Sequence, residues 1–513
     1  MCKHACAAAF ISSILFAFGF FVPYAGEPLI LVGFIPLFWQ LSKDQWSYKK
    51  SFLSFFFGGM IFFGATLAWM FALMPLEWAG IESVWTAYGL FLPVWLLIIV
   101  SFAFWWGVFG LGARYFLIEI ERYHSVVSAV FLGVLWVVTE YARSFMIGFL
   151  GFSPTHSSLF SEWTLGSLVY AMTDGWMVLL ASIGGLHLVN FVIMICNVWI
   201  FLQWRRASTP RKGVLCGVAI LVGVIGISAF FGVFVSMWHE HAYRSARSYE
   251  IGAMRTDIPR VFLYSQDIRV IPLRESIDAV ISLPQKIDVL VAPESANVLS
   301  FDALNGMRLI DRMKKDGTTL VDHIYAQQAG GLESRTFYWR PDRGIIGFQG
   351  KRILMPIGEY LPSVVKMALG FFGYQYTIDT YEETRALISS EKGSPITDAR
   401  GTYGSVVCSE VLNPNSIRSL TKAGAEVIFL QSSDALFRGN FLYAQYMIAM
   451  AQVRAIESGR FVVRASNAGP TAIIDSLGRV RVKKDNGNGV IYYNVPLLHI
   501  STPYVRWGAR PIP

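Results

Sequence analysis

Three side chains in the second half of the chain are of the types that nucleophilic catalysis at sulfur needs: a carboxylate, an ammonium group and a thiol. Glu294 ends the run DVLVAPE, Lys351 follows GIIGFQG, and Cys408 ends GSVVC. Each comes at or just after a predicted strand, and sites in α/β sheets form where loops leave the strands. The three positions are spaced 57 residues apart, so only folding can bring them together.

The cysteine content favours a thiol that acts alone. The five cysteines are Cys2, Cys6, Cys196, Cys216 and Cys408, and their spacing fits no zinc motif. Cys196 and Cys216 lie inside apolar stretches, where cysteine packs as a small hydrophobic side chain. Cys408 has no possible disulfide partner in its own half of the chain. A free thiol is only partly ionised near neutral pH, so the neighbours of Cys408 decide its role.

The elements that must position these residues alternate between strands and helices after residue 248. Short runs rich in β-branched residues predict strands at 249–254, 288–293, 344–349, 404–409, 426–431, 461–466, 470–475 and 489–495. Helices are predicted at 301–315, 415–423 and 439–458. This alternation predicts a layered α/β domain, and about 265 residues suffice to bury a full core.

The first half of the chain has a different composition, which predicts a membrane domain. The chain of 513 residues is 54% hydrophobic and 15% charged, and its long apolar stretches all lie before residue 239. Seven stretches are candidate membrane spans: 5–23, 27–42, 52–74, 87–112, 125–142, 177–203 and 214–238. The net charge of +8 does not indicate nucleic acid, because the basic residues cluster at the ends of these stretches.

The distribution of basic residues between the spans predicts an orientation. One set of loops holds Lys3, Lys43, Lys49, Lys50, Arg114, Arg122, Arg205, Arg206, Arg211 and Lys212. The alternate loops contain a single lysine or arginine, Arg143. By the positive-inside rule the first set is cytoplasmic. Seven spans then place residue 239 onward on the extracytoplasmic side.

Polar residues in or beside the predicted spans can have either a functional or a structural role. Glu140, Arg143, Asp174, His187 and Asn190 are functional candidates because intramembrane polar groups are costly, but hydrogen bonding between helices explains them as well. The loop 148–158 is rich in glycine and aromatic residues. It could shape a lipid entrance or be a turn at the membrane interface.

Together, several motifs resemble the nitrilase, or carbon–nitrogen hydrolase, superfamily. They are APES around Glu294, GKRILMPIGEYLP from Gly350, GSVVCSEVLNP from Gly404 and RAIESGRFVVRASNAGPTAIIDSLGRV from Arg454. The second motif, the spans before it and the ending TPYVRWG are similar to the bacterial apolipoprotein N-acyltransferase family. The resemblance covers nearly the whole chain.

The resemblance implies a multi-span α-helical membrane domain followed by an α/β nitrilase-like domain, an α-β-β-α sandwich. We expect the membrane domain at 1–238, a linker at 239–248 and the catalytic domain at 249–513. The implied activity is that of an acyltransferase of the bacterial inner membrane that matures lipoproteins. It moves a fatty acyl chain from a glycerophospholipid, through a cysteine thioester, to the N-terminal diacylglyceryl-cysteine of an apolipoprotein. No cofactor, metal or nucleic acid is implied.

The family's catalytic triad maps onto Glu294, Lys351 and Cys408. In this reading Glu294 takes the proton of the Cys408 thiol, and Lys351 stabilises the oxyanion that follows nucleophilic attack. Glu359 and Glu410 match further motif positions, where they could orient Lys351 or shape the pocket. The alternative for Glu359 is a loop-fixing hydrogen bond, and the alternative for Glu410 is a salt bridge.

The chain departs from the family pattern at three places. Ser409 follows the nucleophile where the family commonly has tyrosine, and QSSDALF at 431–437 replaces a usual Asn-Asp-x-Trp-Phe. The family ends with an eighth span, whereas this sequence stops at Pro513 without one. These departures bear on substrate positioning more than on the triad.

Other functions stay open on the sequence alone. A membrane-tethered amidase or nitrilase-type hydrolase would share the triad and use water as the acceptor, although one span would suffice as its anchor. A transporter with an accessory domain is disfavoured by the few charges and the absence of a repeat in the spans. A catalytically weakened homologue would account for Ser409.

Overall fold

A computed structural model describes residues 2–22, 26–43, 46–79, 81–120, 125–157, 159–259, 266–299, 303–328, 330–371, 373–390, 393–437 and 439–508. Several residues used above lie outside these ranges: Arg122, Ser158, the first two residues of the predicted helix 301–315, and 509–513. The described contacts divide the chain into two compact units. The first comprises Met1–Phe71, Ser83–Met146 and Leu165–Trp238; the second comprises Ala72–Glu82, Ile147–Thr164 and His239–Pro513.

The apolar stretches before residue 246 form helices. They are α1 Cys2–Phe21, α2 Gly26–Ile30, α3 Ile35–Leu41, α4 Tyr48–Thr66, α5 Val84–Tyr115, α6 Ser125–Ser144, α7 Met146–Leu150, α8 Ala181–Arg206 and α9 Pro210–Ser245. Among the described residues, four apolar helical stretches are long enough to cross a membrane: Val84–Ile118, Val126–Leu150, Met177–Arg206 and Pro210–Ser245. The predicted span 27–42 is divided between α2 and α3, and the total of seven spans stays a prediction.

Aromatic side chains form the core of the first unit. Phe16, Phe34, Phe62, Trp106 and Trp136 are each at most 1% exposed. Their rings meet edge to face, tilted or stacked, as with Phe62 against Trp106 at 5.2 Å between centroids. Such contacts add about 0.5–1.5 kcal/mol per pair to the burial of apolar area. The aromatic richness of the first half therefore serves helix packing.

The second unit contains a mixed sheet flanked by helices. Its strands are β1 Ser248–Thr256, β2 Val289–Val291, β3 Thr319–Gln328, β4 Gly331–Arg340, β5 Gly344–Gly350, β6 Leu387–Ile388, β7 Ile396–Thr397, β8 Thr402–Val407, β9 Val427–Ser433, β10 Phe461–Asn467, β11 Thr471–Ile474, β12 Val480–Lys484 and β13 Gly489–Pro496. Its helices are α10 Gln266–Ile281, α11 Ala303–Asp316, α12 Ser363–Phe371, α13 Gln375–Thr384, α14 Pro414–Lys422, α15 Phe441–Ser458 and α16 Pro503–Trp507.

The strand order confirms the predicted α/β nitrilase-like class. The order is β5-β4-β3-β2-β1-β10-β9-β8-β7, and the strands from β3 to β8 in this order run parallel. Alternate residues of β2 face different cores, because successive side chains of a strand point to opposite faces. Val289 and Val291 join an interior cluster shared by both halves of the sheet, whereas Leu290 packs against α10 and α11.

The strand predictions were right for type and incomplete in number. All eight predicted strands coincide with observed ones to within about three residues, except that Cys408 and Ser409 belong to the turn after β8. The sequence interpretation missed β3 and β4, the longest strands of the unit, as well as the short strands β6, β7 and β12 and the helices α10, α12, α13 and α16.

Candidate active site

Glu294 follows β2 at the carboxyl edge of the parallel strands. Its side chain is 6% exposed, and Oε2 accepts a hydrogen bond from the backbone N–H of Ser433 at 2.9 Å, where β9 ends. Burial raises the pKa of Glu294 to about 7, with the Lys351 ammonium acting in the opposite direction. A carboxylate with such a pKa can both accept and return a proton near neutral pH.

The turn after Glu294 is held by two buried side chains that the sequence interpretation missed. Ser295 has φ of 64°, a conformation that few non-glycine residues adopt, and its N–H donates to Nδ1 of His323 at 3.0 Å. Burial lowers the pKa of His323 to about 3, so the ring is neutral and its Nε2–H donates to Ser334 Oγ at 2.8 Å. Asp322 accepts from the N–H of Val298 at 2.7 Å.

Lys351 enters the site from the end of β5 and is 1% exposed. Its backbone N–H donates to the carbonyl oxygen of Ser334 at 2.8 Å, so one β4 residue holds both Lys351 and the His323 ring. The ammonium lies 2.6 Å from Glu359 Oε1 and 3.8 Å from Glu294 Oε1. Burial lowers the pKa of Lys351, but the Glu359 and Glu294 carboxylates outweigh it and hold the pKa well above its ordinary value.

Cys408 begins a tight turn, Cys408–Leu412, directly after β8. Its φ is 49°, so the nucleophile candidate has a backbone conformation that is sparsely populated outside glycine and is often found at functional sites. Burial raises the pKa of its thiol, and the charge of Glu294 adds to the effect while that of Lys351 opposes it. The thiol is therefore protonated at rest, and its activation requires a base.

The three predicted triad residues lie close enough for their charges to act on one another. The pKa of Cys408 responds to the charges of Glu294 and Lys351, and the pKa of Lys351 responds in turn to Cys408. Glu294 titrates near neutral pH and lies beside a fixed positive charge. This arrangement is suited to proton transfer from a thiol to a carboxylate with a nearby oxyanion stabiliser.

Glu359 and Glu410 occupy different places around this site. Glu359 bridges the Lys351 ammonium and the N–H of Met355, from which its Oε2 accepts a hydrogen bond at 2.8 Å. Buried Glu410 accepts from the N–H of Val407 at 2.8 Å and from that of Arg352 at 3.0 Å. It therefore ties the turn that carries Cys408 to the residue after Lys351. In this arrangement both carboxylates act by holding other groups.

Ser409 makes a weaker contact. Its hydroxyl donates to the carbonyl oxygen of Ile353 at 3.3 Å, and its side chain is buried. The contact joins the Cys408 turn to the loop after Lys351.

The stretch 431–437 contributes to the site through residues that its departure from the family motif did not reveal. Gln431 accepts from the Thr336 hydroxyl and donates to the carbonyl oxygen of Ala292 at 2.7 Å, which joins β9 to the end of β2. Asp434 pairs with buried Arg464 through both oxygens, at 2.9 and 2.7 Å. No sequence signal distinguished these buried polar residues from surface ones.

Two family profiles match the chain in succession. The Apolipoprotein N-acyltransferase N-terminal domain matches residues 12–199, and the Carbon-nitrogen hydrolase domain matches residues 307–502. Together the matched ranges take in most of the chain. The fold and the second profile therefore define a nitrilase-superfamily domain attached to a helical membrane domain.

Curated relatives are similar over long stretches and carry one name. The apolipoprotein N-acyltransferase of Pseudomonas syringae pv. tomato is 25% identical over 67% of this chain and 66% of its own length. That of Gloeobacter violaceus is 24% identical over 94% and 86%, and that of Geobacter metallireducens is 24% identical over 92% and 85%. The chain belongs to the apolipoprotein N-acyltransferase family, whose members are acyltransferases. With its long apolar helices, it is a bacterial inner-membrane protein.

Solved structures with similarity include members of the nitrilase superfamily. An amidase of the nitrilase superfamily from Nesterenkonia AN1 is 14% identical and covers 51% of this chain and 94% of its own, with a TM-score of 0.35. Nit3 from Saccharomyces cerevisiae is 14% identical over 49% and 90%, with a TM-score of 0.36.

Proposed function

We propose that this protein transfers a fatty acyl chain from a glycerophospholipid to the N-terminal diacylglyceryl-cysteine of apolipoproteins, through a thioester on Cys408. The observation that carries the proposal is the buried ammonium of Lys351 between two carboxylates, close enough to the Cys408 thiol for their charges to interact. The relatives' shared name supports the choice of substrates.

In the first half-reaction Glu294 removes the thiol proton of Cys408 as the sulfur attacks the ester carbonyl of the phospholipid. Negative charge develops on the carbonyl oxygen, and the Lys351 ammonium stabilises it. The C–O bond of the ester then breaks. Glu294 returns its proton to the departing lysophospholipid alcohol, and the acyl group stays on sulfur as a thioester.

In the second half-reaction the α-amine of the apolipoprotein attacks the thioester carbonyl. Glu294 accepts the proton that the amine loses, and Lys351 again stabilises the oxyanion. The C–S bond breaks, the sulfur regains a proton from Glu294, and the product is an amide. The first half-reaction gives the thiol proton to the departing alcohol, and the second restores a proton from the amine to the sulfur. The complete cycle thus leaves the site with the protons it began with.

Lipid substrates explain why a nitrilase-like domain is joined to apolar helices. Exposing an acyl chain to water costs about 0.8 kcal/mol per CH₂ group, so both the donor and the acceptor stay at the bilayer. A membrane-tethered hydrolase would not need an acyltransferase-type N-terminal domain, and the match at 12–199 argues against that alternative.

Labelled phospholipid tests the intermediate. Incubation of the full chain with a phospholipid carrying a labelled acyl group should give a hydroxylamine-sensitive adduct on Cys408 by mass spectrometry. Cys408→Ala should abolish the adduct, whereas Cys216→Ala, which alters an exposed cysteine, should retain it. A Cys408→Ala protein that labels as well as the parent rules out the mechanism.

The proposal includes a catalytic domain on the extracytoplasmic side, because ten basic residues flank the predicted spans on the opposite side. Ser282, on an exposed turn of the second unit, and Ser208, in the exposed connection between α8 and α9, are suitable labelling sites. In a Cys216→Ala background, a membrane-impermeant maleimide should label Ser282→Cys in intact spheroplasts and Ser208→Cys only after lysis. The reverse pattern would invert the topology.

A further inference from the structure

The segment Ile147–Thr164 belongs to the compact unit that contains the triad, although it lies between apolar helices in the sequence. It comes after α6 and ahead of α8, and it carries the glycine-rich and aromatic loop noted above. Hydrogen bonds of its described residues join it to two places: the loop that carries Glu359 and the turn that carries Cys408.

The first set of contacts is made to Tyr360, the residue after Glu359. The Tyr360 hydroxyl donates to the carbonyl oxygen of Gly151 at 2.6 Å, and its ring stacks parallel to the imidazole of His156 with 5.6 Å between centroids. The Tyr360 side chain is 1% exposed. Its own carbonyl accepts from the N–H of Ile357 at 2.8 Å, which closes the loop. Moving Tyr360 therefore moves the Glu359 carboxylate.

Gly151 allows this approach because it has no side chain. A Cβ atom at this position would lie 2.6 Å from Cγ of Pro356, in the same loop. One residue further on, the carbonyl of Phe152 accepts from the N–H of Ser363 at 2.8 Å. The segment thus contacts both the start and the end of the loop that carries Glu359.

The second set of contacts is made to the end of the Cys408 turn. The carbonyl of Leu412 accepts from both the N–H and the hydroxyl of Thr164, at 3.2 and 2.7 Å. Arg454 is fully buried and donates to the Thr164 hydroxyl at 3.0 Å and to the carbonyl of Val411 at 3.0 Å. Thr164 is therefore fixed to the turn on two sides.

We infer that the segment Ile147–Thr164 is a positioning clamp, which sets the Glu359 carboxylate and the Cys408 sulfur relative to each other through Tyr360 and Thr164. The inference rests on the proposed function for the identity of the reaction. The Lys351 ammonium lies 2.6 Å from Glu359 and 3.8 Å from Glu294. If Glu359 moves away from Lys351, the ammonium moves towards Glu294 and forms a tight ion pair with it. Glu294 is then a weaker base for the Cys408 thiol.

Isosteric substitutions test the clamp in the full chain. Tyr360→Phe removes the bond to Gly151 and keeps the ring, and Thr164→Val removes the hydroxyl contacts and keeps the shape. Each should slow acylation of Cys408 by labelled phospholipid about tenfold, with KM for the donor within twofold. The reason is the loss of positioning hydrogen bonds, one in Tyr360→Phe and two in Thr164→Val. Thr164→Ser, which keeps the hydroxyl, should restore the rate. Tyr243→Phe, which removes a 2.7 Å contact with Ser476 away from the site, is the control.

The alkylation rate of Cys408 by iodoacetamide provides a readout that needs no lipid. Tyr360→Phe should slow alkylation, and the acidic limb of its pH profile should move to lower pH. The reason is that Glu294 loses the opposing charge of Glu359 and gains that of Lys351, while Asp434 stays in place. A residue that only stabilises the fold would lower the melting temperature and leave this profile unchanged.

The outcomes separate the clamp from the reaction. If wild-type Cys408 takes no acyl group but the alkylation differences persist, the proposed function fails and the clamp stands. If both variants acylate and alkylate at the control's rates, the clamp is wrong. Gly151→Ala places a methyl group against Pro356 and so displaces the loop that carries Glu359 by another means, should Tyr360→Phe not fold. Its rates of Cys408 acylation and alkylation are judged against the control in the same way.

Discussion

At the scale of single residues, the site depends on placing one positive charge between two negative ones. A buried ammonium is costly unless it is paired, and Lys351 is paired with both Glu359 and Glu294. Burial raises the pKa of Glu294 to about 7. Because Glu359 makes the closer contact with the Lys351 ammonium, Glu294 is not held as a tight ion pair. The carboxylate that fixes the lysine is thus distinct from the one that moves the proton.

The raised pKa of Glu294 predicts a pH dependence of stability. Its pKa in the folded protein, about 7, lies above its ordinary value of 4.5, so its stabilising contribution is present below about pH 4.5 and is lost as the pH rises through 7. Relative to Glu294→Gln, the wild type should lose about 3 kcal/mol of unfolding free energy between pH 5 and pH 8. Denaturant unfolding at both pH values measures this, with exposed Glu383→Gln as control. A pH-independent difference would contradict the assignment.

The same group predicts the pH dependence of thioester formation. Glu294 must be ionised to accept the thiol proton, so the rate of Cys408 acylation should fall tenfold per pH unit below a midpoint of about 7. Lys351→Met removes the charge that lowers this pKa, so it should slow acylation by about 10²-fold or more and move any residual acidic limb to higher pH. Stopped-time mass spectrometry of the acyl-enzyme gives both quantities. If the acidic limb of the pH profile lies at the same pH in Lys351→Met as in the wild type, Lys351 does not act on Glu294 in the reaction.

At the scale of elements, the strands that carry triad residues were predictable and the strands that support them were not. Runs such as DVLVAP are continuous and apolar, which is the pattern of a strand buried on both faces. β3 contains Asp322 and His323, both fully buried, so its composition resembles that of a surface segment. Their burial follows from hydrogen bonds to Val298, Ser295 and Ser334, which only the folded chain reveals.

The helix α12 has no buried residue and carries exposed apolar side chains, and this predicts a role in contact with lipid. None of its residues is buried, and Val364, Met367 and Phe371 are 51, 75 and 85% exposed. Apolar side chains left this open are typical of a binding surface. Met367→Asp combined with Phe371→Asp should raise KM for vesicle phospholipid at least severalfold and leave the melting temperature unchanged. Met307→Asp, at an exposed position of α11, should alter neither. An unchanged KM in the α12 variant would exclude the role.

At the scale of the whole molecule, each compact unit is built from several separate stretches of the sequence. The second unit takes in Ala72–Glu82 and Ile147–Thr164 from the helical half of the sequence. Hydropathy separates apolar from polar stretches, so it predicts a single boundary at 238. It cannot show that a loop between two apolar helices packs with a domain that begins ninety residues later, because that contact depends on single hydrogen bonds such as Tyr360 to Gly151.

Two ways of dividing the chain test whether the second unit needs the segments that come from the helical half of the sequence. Residues 239–513 alone leave the Tyr360 hydroxyl and one donor of Arg454 without the Gly151 and Thr164 partners that they have in the full chain. Each unsatisfied buried group costs about 1–3 kcal/mol, against a typical total stability of about 5–15 kcal/mol. The fragment 239–513 should therefore melt well below the full chain and alkylate Cys408 slowly. Co-expressed 1–208 and 209–513, divided in an exposed connection, lose no such hydrogen bond across the junction. The two co-expressed parts should associate and retain the parent's alkylation rate of Cys408. A fragment 239–513 that is stable and fully reactive would show that the inserted segments are dispensable.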